Sequence, residues 1–131
     1  MNNVNLLGYL KNKKDIILSK NGNYILNISI LVPKKLSKEM KEQYKIENKS
    51  VYYYFNVVLF GNIAKYVDSY CEIGQKLLIT GYLNQNTYIS KENEQKYAVD
   101  IVGNEVILLD NKNVNYYENI KDDTIIDDEE I

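Results

Sequence analysis

Histidine, arginine and tryptophan are absent from this chain, cysteine and proline occur once each, and glycine only six times. Without histidine there is no imidazole to act as a general base near neutral pH, and zinc has almost no ligands to draw on. One cysteine, Cys71, excludes an internal disulfide. It ends an amphipathic helical pattern and has no evident basic partner to lower its pKa. There is no phosphate-binding glycine loop, and runs of adjacent carboxylates are confined to the C-terminal end. No catalytic residue, metal or cofactor is therefore expected. Nor is there an apolar run of about eighteen residues, and Met1-Asn2-Asn3 does not open a basic stretch followed by an apolar one. The expectation is a cytoplasmic protein with no membrane association. At 131 residues it is long enough to fold on apolar burial alone.

What the chain does have is lysine and tyrosine. All sixteen basic residues are lysine, and there are thirteen tyrosines, a bias that AT-rich codons would also favour. The net charge of −2 conceals two regions: residues 1–110 carry +3 and residues 111–131 carry −5. Two segments of the body, 11–20 and 33–50, are locally basic and suit either a nucleic-acid contact or ordinary solvated loops. The densest aromatic stretch is Tyr52-Tyr53-Tyr54-Phe55-Asn56-Val57-Val58-Leu59-Phe60-Gly61. A strand alternates its faces, so Tyr52, Tyr54, Asn56, Val58 and Phe60 share one side and Tyr53, Phe55, Val57 and Leu59 the other. The first side offers more π surface than a solvated face needs unless something, such as a nucleobase, stacks on it.

The remaining pattern is mostly β. Val4 to Leu10 reads as a strand, which Ile16-Ile17-Leu18 continues, and Asn21-Gly22-Asn23 is a hairpin turn leading into Tyr24 to Val32, closed by Pro33. Residues 33–50 read as an excursion or a marginal helix. Ile63, Tyr66, Val67 and Tyr70 have the spacing of an amphipathic helix, with Asn62 placed to cap it. Lys76 to Leu83 reads as a strand interrupted by Gly81, Asn84 to Glu94 as a turn-rich polar run around Tyr88, and Tyr97 to Val102 as the returning strand, with a bulge at Gly103 before Val106 to Leu109. Five strands with one short helix between the third and fourth is the order of an OB-fold, a five-stranded Greek-key barrel in the all-β class. This domain is expected over residues 1–110, followed by a short acidic tail over 111–131.

Placed in this order, several motifs resemble the bacterial single-stranded DNA-binding protein family across residues 3 to 110. They are Val4-Asn5-Leu6-Leu7-Gly8-Tyr9-Leu10, Asn21-Gly22 with Asn27-Ile28-Ser29-Ile30, Val57-Val58-Leu59-Phe60-Gly61 with Ala64 and Tyr70, then Gly74, Gly81-Tyr82-Leu83 and Tyr88. The resemblance implies sequence-independent binding and protection of single-stranded DNA in replication, recombination or repair, by a homotetramer. It places Tyr54, Phe60 and Tyr88 where the family stacks bases, with tyrosine at 54 and 88 in place of the commoner tryptophan, and Tyr52 joins them by sharing the ring-bearing face. Basic positions usual in the family hold Asn56, Asn62, Glu72-Ile73, Asn84 and Asn86 here. Phosphate contacts are then left to Lys34, Lys35, Lys38, Lys41, Lys45, Lys49, Lys65, Lys76, Lys91 and Lys96. Family tails end in an acidic run with a proline and an aromatic residue that docks on repair and replication proteins. This one ends Asp127-Asp128-Glu129-Glu130-Ile131, which keeps the charge and a terminal apolar residue for such a partner but lacks the proline and the ring. The lost cations and altered tail leave a second reading open, an OB-fold interaction or assembly module with weak or no DNA binding.

Overall fold

The computed structural model describes residues 1–109. Its elements are β1 (Val4–Lys13), β2 (Ile17–Leu18), β3 (Tyr24–Pro33), α1 (Lys38–Ile46), β4 (Tyr52–Phe60), α2 (Asn62–Tyr70), β5 (Lys76–Ile89) and β6 (Gln95–Leu108). The hairpin of β3 and β4 pairs without interruption from Ile25 opposite Phe60 to Pro33 opposite Tyr52. Alternation sends Leu26, Ile28 and Ile30 inward on β3 and Val57 and Leu59 inward on β4, all of them buried. β1 pairs antiparallel with β3 and with β5, β5 pairs with β6, and β6 runs parallel to β4, so the order β1-β3-β4-β6-β5 returns to β1. That closes a five-stranded barrel, the expected OB-fold, with β2 as a short edge piece on β3.

Ala64 and Val67 of α2 plug the barrel, packing with Leu6, Leu10, Leu77, Ile79 and Ile101 in one apolar core. Burying each large aliphatic side chain of this cluster contributes about 1.5–3 kcal/mol, which is why no disulfide or metal is needed. The helix starts differently from the expectation: Gly61, at φ 67°, is its N-cap residue with no side-chain capping bond, and Asn62 is already helical. At the other end, the Lys13 ammonium donates to the carbonyls of Asp68 (3.0 Å) and Cys71 (2.6 Å), satisfying groups that the last turn leaves without a helical partner.

Three further features depart from the sequence reading. Residues 38–46 form a regular helix, capped by the Ser37 hydroxyl accepting from the Met40 N–H at 3.1 Å, although no residue of α1 is buried. Secondly, Leu36 and Tyr44 lean on a separate small core made of Tyr9, Leu31, Val51 and Tyr52. Lastly, the hairpin after α2 is longer than its apolar pattern indicates: β5 continues through Asn84-Gln85-Asn86-Thr87 to Ile89, and only 90–94 turn. The bulge lies beside Gly103 as expected, because Thr80 pairs with Glu105 while Gly81 pairs with Gly103, leaving Asn104 over.

Candidate nucleic-acid interface

The outer face of the barrel is built from the positions that alternate with the core. On β4 these are Tyr54, Asn56, Val58 and Phe60. Cross-strand neighbours extend the face: Ile17 and Ile25 lie in the row of Phe60, and Ser29 donates its hydroxyl to the Asn56 side-chain oxygen at 3.1 Å. Val58 pairs with Val102, which pairs in turn with Tyr82, so the same face passes through β6 to β5. Two-residue steps then carry it along the hairpin through Asn84, Asn86 and Tyr88, opposite Asp100, Ala98 and Lys96.

Tyr54 is 54% exposed, Phe60 47% and Tyr88 51%. Aromatic rings this open on one sheet face form platforms on which flat, apolar-faced ligands can stack. Phe60 stands on the outside of the barrel, not beneath α2. Tyr52 is different and corrects the sequence reading: it is only 4% exposed, enclosed with Tyr9 and Leu31 under Leu36 and Tyr44. Its ring has no open side for a base. Alternation assigns it to the outer side, and the chain leading into α1 covers it there. Tyr82 was not anticipated as part of the face. Its signal was its two-residue phase with Asn84, Asn86 and Tyr88, hidden by reading 84–94 as a turn.

The candidate cations fall into several groups. Lys34 is partly buried, donates to the Ser50 carbonyl at 3.2 Å and lies over the rings of Tyr44 and Tyr53, so it ties the α1 excursion to β4. Lys49 pairs with Glu47 at 2.8 Å, an exposed contact that holds the Glu47 carboxyl below its usual range and raises the lysine. Lys96 pairs with Glu94 at 3.3 Å, and Lys65 lies over the Tyr24 ring at 5.0 Å. Lys35, Lys38, Lys45 and Lys91 are exposed, while Lys41 and Lys76 are partly buried. The lysines of 34–49 thus lie on α1 and its flanks, with Lys34 bridging to Tyr53 of β4. The hairpin end of the face carries Lys96, paired with Glu94, among amides and the Asp100 carboxylate.

Cys71 is buried, and burial pushes its thiol up, with the nearby Lys13 charge a smaller opposing influence. It is a packing residue. Among the described residues no group of histidine, cysteine and carboxylate side chains is placed to hold a metal ion, and no helix is long and apolar enough to cross a membrane. The acidic residues Asp127, Asp128, Glu129 and Glu130 and the terminal Ile131 lie outside the described residues.

Comparison with known proteins places this geometry in context. A single-stranded DNA-binding protein of Xanthomonas campestris pv. campestris is 27% identical over 109 residues, which is 83% of this chain and 60% of that relative. One from onion yellows phytoplasma is 34% identical over 71 residues, 54% of this chain and 68% of the relative. A third, from Malacoplasma penetrans, is 34% identical over 68 residues, covering 52% of this chain and 36% of the relative. The chain thus spans three fifths or less of the length of some of these relatives. The family model described as the single-strand binding protein family matches residues 1–109, which are the residues that form the barrel, and the chain belongs to that family.

Proposed function

We propose that this protein binds and protects single-stranded DNA, without requiring a defined sequence, in replication, recombination or repair, and that it does so without catalysis. The observation that carries this reading is the single sheet face on which Tyr54, Phe60 and Tyr88 are all about half exposed. Bases stack on such rings whatever their identity, because each has a π face, at about 1–3 kcal/mol per base. Exposed lysines around α1 and at Lys65, Lys91 and Lys96 follow the phosphates, and the release of counterions makes that part of the affinity salt-dependent.

The assembly we propose is a homotetramer. Supporting self-association, the underside of the β5–β6 hairpin exposes Leu83, Ile89, Tyr97 and Val99 with only Gln85, Thr87 and Gln95 among them, an apolar strip free of charge. A cytoplasmic location and recruitment of a replication or repair protein by the acidic end, Asp127 to Ile131, belong to the same proposal. A second reading, an interaction module with little DNA affinity, is favoured by one observation: Asn84, Asn86 and Asp100 stand on the hairpin face where cations would serve DNA best.

Fluorescence anisotropy of labelled oligo-dT separates the two. Binding should fall with salt on a log–log slope of about −0.7 for each phosphate neutralised. Tyr54→Ala and Tyr88→Ala should each weaken it about five- to tenfold, the lower end of the stacking range for a phenol ring. Absence of binding even at low salt would leave the interaction module.

A further inference from the structure

The locally basic segment 11–20 has an apolar centre. Ile17 and Leu18 of β2 are 54% and 60% exposed on an edge strand, a place where apolar side chains invite pairing with other chains and charge usually stands instead. Folding does not call for Ile17: among the described residues, the core and the side chains packed on it include Ile16 and Tyr24 but neither Ile17 nor Ile25. Register aligns these two with Phe60, Ile17 opposite Ile25 and Ile25 opposite Phe60, so all three stand on the outer face. Backbone bonds hold the row in place. The Lys14 N–H donates to the Asn27 carbonyl at 3.0 Å, the Ser19 N–H to the Asn23 carbonyl at 2.8 Å and the Gly61 N–H to the Tyr24 carbonyl at 2.8 Å. Lys13 is engaged at the end of α2, whereas Lys14 and Lys20, on either side of β2 in the chain, are exposed.

We propose that Ile17 and Ile25 form a further subsite for single-stranded nucleic acid, seating the nucleotide next to the one stacked on Phe60, with Lys14 and Lys20 serving its phosphates. This rests on the single-strand-binding reading given above. Neighbouring strands lie about 4.8 Å apart, so the row extends about 10 Å sideways from Phe60. A base on the Phe60 ring covers that ring and the near side of Ile25, which leaves the rest of the row to the sugar and base of the adjoining nucleotide. Branched aliphatic side chains offer apolar surface and no hydrogen-bonding group, so the contact is as indifferent to base identity as stacking is. An apolar strip in a basic segment matches a nucleotide, apolar in its sugar and base and anionic in its phosphate, better than it matches a purely apolar partner.

Anisotropy titrations of labelled oligo-dT over a salt series test this on wild type, Ile17→Thr, Leu18→Thr and the double variant Lys14→Ala/Lys20→Ala, with a melting curve to check each fold and light scattering to check each mass. Threonine keeps the β-branch and so suits the strand. Ile17→Thr should weaken binding about three- to fivefold at an unchanged salt slope, because the loss of buried apolar surface involves no counterion. Leu18→Thr is the control: Leu18 is as exposed as Ile17 and adjoins it, but pairs with Tyr24 on the other side of the sheet, so its variant should bind like wild type. The lysine variant should do the reverse of Ile17→Thr and flatten the log–log slope by about 0.7 for each phosphate no longer neutralised. Should Ile17→Thr not fold, Ile17→Phe, which enlarges the apolar surface, is expected to bind at least as tightly as wild type, and weaker binding overturns the proposal. Unchanged affinity of Ile17→Thr, an equal loss in Leu18→Thr or an unaltered slope in the lysine variant overturns it as well. So does a change of mass in Ile17→Thr, which makes the row an interface between copies. These results leave the single-strand reading standing, whereas no binding by wild type at any salt defeats the proposal together with that reading.

Discussion

Tyr52 and Tyr54 stand two residues apart on one strand and point to the same side of the sheet, yet one is enclosed and the other open. Their substitutions should therefore separate stability from binding. Tyr52→Ala removes a ring from the small core with Tyr9, Leu31 and Val51 and should cost about 3–5 kcal/mol, the range for truncating a buried aromatic. Tyr54→Ala should leave stability within about 0.5 kcal/mol while weakening oligo-dT binding. Urea unfolding of both variants checks this, and equal destabilisation would mean that Tyr54 is also a packing residue. Strand periodicity alone was enough to place Tyr54 and Phe60 on the outer face. It was not enough for Tyr52, because what covers that ring is Leu36 and Tyr44, which reach it through a tertiary contact that no local pattern encodes.

At the scale of the elements, the β5–β6 hairpin determines how far the face extends. Its base is held by an unusually close approach: a Cβ at Gly81 would stand 1.9 Å from the Val102 carbonyl oxygen and 2.9 Å from its carbon. Both are backbone atoms of a closed barrel, so neither can yield cheaply. Gly81→Ala should consequently cost about 1–3 kcal/mol or more and loosen the hairpin, observable as a lower urea midpoint together with faster amide exchange at Tyr82 and Leu83. Unchanged stability would show that the strands can separate there. The barrel portions of these strands were legible because Leu77, Ile79 and Ile101 are apolar at alternate positions. Beyond the barrel rim both faces of the hairpin meet water, so Asn84-Gln85-Asn86-Thr87 carries no alternation and reads as a turn although it is strand. For α1 the reason is similar: a helix with no buried residue gives only a weak apolar period, and its Ser37 cap is the stronger signal.

Across the whole molecule, charge is divided more sharply than any structural property. The body of 1–110 carries +3, of which lysines around α1 supply much, and residues 111–131 carry −5. Opposite charge on one chain competes with phosphate for the same lysines, and like charge repels the incoming strand, both effects reaching about 8–10 Å at moderate ionic strength. Removing residues 111–131 should therefore raise affinity for oligo-dT several-fold at low salt, and the advantage should shrink as salt rises, because screening weakens competitor and repulsion alike. Parallel anisotropy titrations of the full and shortened chains over a salt series check this, with light scattering on both to confirm that the assembly state has not changed. An affinity gain that persists undiminished at high salt would mean that the removed segment blocks the face by contact and not by charge. If the gain is absent at every salt, the seven acidic residues of 111–131 act on some surface other than the one that carries Tyr54, Phe60 and Tyr88.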